Sequence, residues 1–169
     1  MIQHLKKLHQ EERPAKLKIP IMKYKFFICF ILLWLVNKNI IAQLKADDIV
    51  GIWLTPGKEP AKIQIYKSGE KYFGKIIWLK YPSENGRTKV DTNNPDKTKR
   101  NNQIIGLMIL NEFQFDGDNE WEDGKIYDPE SGKTYSCYLS LKDKNTLKVR
   151  GYIGFSLLGR TEIWTKTIL

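Results

Sequence analysis

The chain has 169 residues, with 28 Lys and Arg against 19 Asp and Glu, two histidines, two cysteines and a formal net charge of +9. The first 42 residues carry eight of the basic and two of the acidic groups, so the remaining 127 keep only +3, which excludes the strong basic footprint that nucleic-acid binding needs. His4, His9 and Cys29 also lie in that first part, leaving Cys137 alone; this excludes Ser-His or Cys-His pairs and an internal disulfide, and disfavours a zinc site.

Taken in chain order, residues 22–42 read as a secretory signal peptide. Met22-Lys-Tyr-Lys25 is a short basic start, Phe26 to Val36 is an unbroken apolar run, and Ala42 is the small residue at the expected cleavage point. The run is well short of the ~20 apolar residues of a spanning helix. Cys29 lacks the preceding small residue that lipid attachment requires. Residues 1–21 are polar and aperiodic, and are expected to be a mis-assigned extension before a natural start at Met22. The domain is then 43–169, exported to the periplasm or secreted, with no stable membrane insertion once the signal is removed.

From there, alternation of apolar and polar residues rich in β-branched and aromatic side chains predicts eight strands and no helix. They are expected over 49–55, 61–67, 71–80, 104–115, 120–127, 133–142, 146–153 and 159–167. Pro56-Gly57, Ser68-Gly69-Glu70, Asp116-Gly-Asp-Asn119, Asp128-Pro-Glu-Ser-Gly132 and Asp143-Lys-Asn145 are the turns. A long polar loop spans 81–103. Short strands joined by tight turns describe an all-β, single antiparallel eight-stranded up-and-down barrel. A β-sandwich is the alternative, disfavoured because sandwiches use longer crossing connections.

Gly51-Ile-Trp53 offers an indole plug for one barrel end, and Arg160 with Trp164 in the last strand offers its closing partners. In Leu147-Lys-Val-Arg-Gly-Tyr-Ile153, Leu147, Val149 and Ile153 share one face while Lys148, Arg150 and Tyr152 share the other. If the barrel interior is polar, Arg150 and Tyr152 line it, and a buried arginine then requires a partner, for which Asp91, Asp128 or Glu162 are available. If the Leu/Val/Ile face is the core, Arg150 lies outside. The loop 90–96 carries strong turn chemistry at Asn94-Pro95-Asp96 and could point oxygens of Asp91, Asn94 and Asp96 inward at a ligand. The candidate ligand-binding set is Arg150, Tyr152, Tyr127, Asp128, Asp91, Asn94 and Trp78. Asp116 to Asp123 fails the EF-hand pattern because Trp121 stands where glycine is needed. No metal, cofactor or catalytic residue is assigned.

Gly51-x-Trp53, Gly74-Lys-Ile76, Asp91-x-x-Asn94-Pro95-Asp96, Ile105-Gly-Leu107, Gly124-Lys-Ile-Tyr-Asp-Pro129, Ser131-Gly-Lys-Thr-Tyr135, Leu147-x-Val-Arg-Gly-Tyr-Ile-Gly154 and Leu158-Gly-Arg160 with Trp164 follow one another in order. Together they resemble the bacterial exported proteins of the domain of unknown function 2147 family, over about residues 48–166. The resemblance implies a signal peptide and a lipocalin-like barrel, and no established activity. Eight strands, 12% aromatic residues and a polar loop at the barrel mouth lead to the expected function, a non-enzymatic exported barrel binding a small amphipathic or apolar molecule. The alternatives are an envelope structural or interaction module with a side-chain-filled barrel, and a histidine-free carboxylate hydrolase using two of Asp91, Asp128 and Glu162. Oligomeric state is left open.

Overall fold

The computed structural model describes residues 46–169; the expected signal peptide and N-terminal extension lie outside them. Ten strands are present: β1 Gly51–Leu54, β2 Ala61–Ser68, β3 Lys71–Leu79, β4 Ser83–Glu84, β5 Arg87–Thr88, β6 Met108–Phe115, β7 Glu120–Asp128, β8 Lys133–Asp143, β9 Thr146–Tyr152 and β10 Gly159–Thr167. Eight of them close into an antiparallel barrel in the order β1-β10-β9-β8-β7-β6-β3-β2. The eight-stranded barrel read from the sequence is thus the architecture. Each barrel strand pairs with its chain neighbours, and β1 seals the ring by pairing with β10 through Ile52–Thr167, Trp53–Lys166 and Leu54–Thr165.

The two-residue period of a strand explains which side chains go inside. In β2, Ala61, Ile63 and Ile65 are buried while the residues between them are not. In β9, Leu147 and Val149 are buried and Lys148 and Arg150 are only partly so. Trp53, Trp121, Trp164, Tyr72 and Phe113 are among the largest fully buried side chains and pack with Ile, Leu and Val into one continuous core.

Two glycines make room for that core. A Cβ on Gly124 would lie 2.3 Å from Phe113 Cδ1 and Cε1, and one on Gly74 would lie 2.7 Å from Leu110 Cδ1. Bulky residues on β6 thus pack against glycines on its two neighbours.

The structure departs from the sequence reading between β3 and β6. The loop holds a two-stranded hairpin, β4–β5, and a single 3-10 turn at Lys97–Lys99 capped by Asp96. Strand β6 starts at Met108 rather than at Ile104. Ile104 to Leu107 form a turn closed by Leu107 N–H donating to the Ile104 carbonyl, with Gly106 at φ 96°. Ile104 is buried all the same, so the apolar run that imitated a strand is a turn covering the core.

Candidate functional site

The long loop returns to the barrel through a buried carboxylate. Asp91 is 0% exposed, and its backbone N–H donates to Asn102 O at 2.9 Å. Burial of a carboxylate is costly unless its oxygens are satisfied, and both are. Tyr127 on β7 donates its hydroxyl to Asp91 Oδ1 at 2.7 Å, and Asn94 Nδ2 donates to Oδ2 at 2.6 Å. Burial, then the hydrogen bond and charge of Asp91, push the Tyr127 hydroxyl up to about 12, so it stays a proton donor.

Arg100 Nε donates to the Asn94 carbonyl at 2.8 Å, and Asn93 Nδ2 reaches Glu130 O at 2.7 Å across the β7–β8 turn. Gly132 in that turn has φ 67°, and a Cβ there would collide with Asn93 O. Three residues selected from the sequence, Asp91, Asn94 and Tyr127, therefore do meet. They meet as a latch that fastens the loop to the barrel, with both carboxylate oxygens already engaged. Asp128 serves the adjoining turn, accepting from Glu130 N–H at 3.0 Å and Ser131 Oγ at 2.6 Å.

Arg150 and Tyr152 lie on the outer wall, because Leu147 and Val149 take the inner face. The acidic partner considered for Arg150 is absent. Its Nε donates to Ser156 O at 2.9 Å, Nη1 to Thr161 Oγ1 at 2.7 Å and Nη2 to the Ser156 and Leu157 carbonyls. The guanidinium folds the β9–β10 loop back on its own hairpin. Beside it, Tyr138 and Tyr152 pack with ring centroids 6.4 Å apart, and Lys148 Nζ donates to Tyr138 OH at 3.1 Å. A depression of about 370 Å³ lies here, lined by Glu120, Glu122, Asp123, Tyr138, Tyr152 and Ser156. Trp78 also faces outward, with Lys62 Nζ 5.5 Å from its ring, so it does not line the interior.

The closure expected at Trp53 is made by a different cation. Trp53 is fully buried and donates Nε1–H to Ile49 O at 2.8 Å. The cation over its ring is Lys166, 5.3 Å from the centroid, whose Nζ also donates to Asp48 O at 3.0 Å. Gly51 admits this side chain, since a Cβ there would sit 3.0 Å from Lys166 Cε. Arg160 instead is 85% exposed and pairs with Glu162 at 3.0 Å. The reason is register: β10 places Lys166, not Arg160, opposite Trp53. Trp164 is buried as expected and donates Nε1–H to Glu162 Oε2 at 3.0 Å.

The three carboxylates considered for hydrolysis thus serve separate partners: Asp91 the loop latch, Asp128 a turn, Glu162 the Arg160 and Trp164 side chains. Carboxylate oxygens of Asp116, Glu120 and Glu122 do come within 4.8 Å of one another. There Asp116 Oδ1 accepts from the backbone N–H groups of Asp118 and Glu120, as in an ordinary hairpin turn.

Residues 51–166 match the family described as "Uncharacterized protein conserved in bacteria (DUF2147)". No curated protein matches the chain. Among solved structures, a protein from the human pathogen Helicobacter pylori, HP1028, described as belonging to the lipocalin family, superposes with a TM-score of 0.64. It is 21% identical, over 70% of this chain and 82% of its own. At that identity the likeness concerns the fold, a lipocalin-like barrel. The chain belongs to the bacterial domain of unknown function 2147 family.

Proposed function

We propose that this family member is an exported, non-enzymatic interaction module of the cell envelope, with a barrel that serves as a rigid core and loops that make its contacts. The observation that carries the reading is the packed interior: Trp53, Trp121, Trp164, Tyr72 and Phe113 are fully buried where a ligand would sit. Export is supported by the basic start and apolar run of residues 22–36. The absence of histidine after His9 and the separate engagements of Asp91, Asp128 and Glu162 support a role without catalysis. Native mass spectrometry of the protein purified from its own host, beside a pull-down from envelope extract, tests this. The expected result is a bare barrel mass with an envelope component recovered. A stoichiometric small molecule held inside the barrel would overturn it.

A second reading keeps a small amphipathic ligand but moves it outside. The wall depression beside Tyr138 and Tyr152 holds about 370 Å³, at the low end of the ~300–1,000 Å³ of small-molecule sites. Under that reading a co-purifying mass disappears on Tyr152→Ala, while Gly74 and Gly124 substitutions leave it in place.

A further inference from the structure

The β9–β10 loop breaks the usual rule for exposed turns. Ile153, Phe155, Leu157 and Leu158 are 68%, 79%, 88% and 72% exposed, four large apolar side chains within six residues. Scattered surface apolar residues need no explanation, whereas a contiguous exposed group marks a contact surface.

Four of the six tip carbonyls are also satisfied within the hairpin. The carbonyls of Phe155, Ser156, Leu157 and Leu158 all accept from within the hairpin: from Leu158 N–H, from Arg150 twice, and from Ile153 N–H. Loop carbonyls normally look to water, and an apolar medium penalises any left unsatisfied. Arg150 therefore takes the place of water at two of these carbonyls, those of Ser156 and Leu157.

Charge is distributed to match. The connections at the tip's end of the barrel, 55–60, 80–107, 129–132 and 153–158, hold seven Lys and Arg against five Asp and Glu. The segments at the opposite end, 46–50, 69–70, 116–119 and 144–145, hold one against five. Arg160 follows the tip after Gly159 and is exposed. Glu120, Glu122 and Asp123, in the first half of β7, line the wall depression together with Ser156 of the tip, so three carboxylates flank the tip on the barrel wall while the end connections carry the basic excess. A barrel with one basic and one acidic end orients at a negatively charged surface, basic end first.

We infer that the Ile153–Leu158 tip docks the barrel on an anionic lipid bilayer, with its apolar side chains in the interface and Arg160 at the phosphates. This rests on the envelope-module reading and names its partner. The contact is peripheral, as for other apolar elements that enter the interface without spanning.

The test uses the full chain carrying Phe155→Trp, so that the readout sits on the tip itself, with the unsubstituted chain as fluorescence background. Vesicles of phosphatidylglycerol and phosphatidylethanolamine, with and without brominated acyl chains, are compared with phosphatidylcholine vesicles. The added tryptophan should shift to the blue and be quenched by bromine on the anionic vesicles only. Adding Leu157→Asp should weaken that response about tenfold or more, the worth of one buried leucine. Unchanged emission on anionic vesicles would overturn the inference, as would an equal response on phosphatidylcholine. A response to envelope protein extract but not to vesicles would overturn the bilayer and leave the interaction module standing.

Discussion

Replacing Gly124 with alanine tests whether the barrel is filled. The new methyl carbon would lie 2.3 Å from Phe113 Cδ1 and Cε1, against a carbon–carbon optimum of about 3.5–4.0 Å. The ring would have to retreat by more than 1 Å, roughly the difference between those distances. Phe113 is fully buried and has no solvent to retreat into. Gly124 is not at a positive φ, so backbone strain does not enter and the penalty is steric. Overpacking of this kind costs about 1–3 kcal/mol, which for a domain of this size lowers Tm by about 4–12 °C. Urea unfolding followed by tryptophan fluorescence gives the value, and Phe113→Leu in the same background gives the control. Phe113→Leu alone opens space and costs stability, yet combined with Gly124→Ala it should recover at least about 1 kcal/mol of the sum. A Gly124→Ala protein within about 0.5 kcal/mol of wild type would refute the reasoning. Phe113 would then have room to move, and an interior ligand would again be physically admissible.

The latch and the closure give further predictions. Tyr127→Phe removes one donor from a buried carboxylate and should cost about 1–3 kcal/mol, with faster proteolysis of the 81–103 loop as its local signature. Tyr127 and Cys137 both hold their protons more tightly folded than unfolded, Tyr127 going from 10.0 to about 12 and Cys137 from 9.0 to about 12 through burial. A raised pKa contributes stability that is complete below the unfolded value and disappears as pH climbs through the folded one. Melting temperatures should therefore decline across pH 9–12, and Tyr127→Phe should make the part above pH 10 shallower, with Tyr72, raised by burial and by Asp47, keeping the remainder of the slope. A flat profile there would contradict the assignment. Lys166→Ala should cost about 0.5–1 kcal/mol by removing the cation over Trp53. Arg160→Ala should change stability by less than about 0.5 kcal/mol; the reverse order in thermal unfolding would reinstate arginine closure.

Strand positions were legible wherever a turn announced them. Ser68-Gly69-Glu70 and Asp143-Lys-Asn145 bracket β2, β3, β8 and β9 to within a residue or so, because turn chemistry and side-chain alternation are local properties of the chain. Ile104 was misleading for the opposite reason: an apolar residue covering a core from a turn has the same composition as one in a strand. The meeting of Asp91, Asn94 and Tyr127 could be suspected from residue type, but their engagement as a latch depends on how the loop lies against β7. The choice of Lys166 over Arg160 has no local signature, because the β1–β10 register is set between residues more than a hundred positions apart. Arg150 misled through its chemistry, since a guanidinium suggests a carboxylate, and here backbone carbonyls of its own hairpin meet the same need. The positive φ of Glu112, at 63°, has no signature in a side chain that ordinarily avoids it, whereas Asp123, at 58°, is of a type found there more often.

The pairing of Ile52 with Thr167 has a consequence in time as well as in space. Seven of the eight barrel pairings join strands consecutive around the meander and can form as each hairpin is completed, although β3 must wait for the long loop before it meets β6. The eighth joins the first strand to the last. Until β10 is in place the domain is a curled sheet with two unpaired margins, the form most prone to add strands from other chains. Synthesis, transport or truncation that delays residues 159–167 therefore prolongs the one stage at which this fold can polymerise, and arrival of those nine residues ends it.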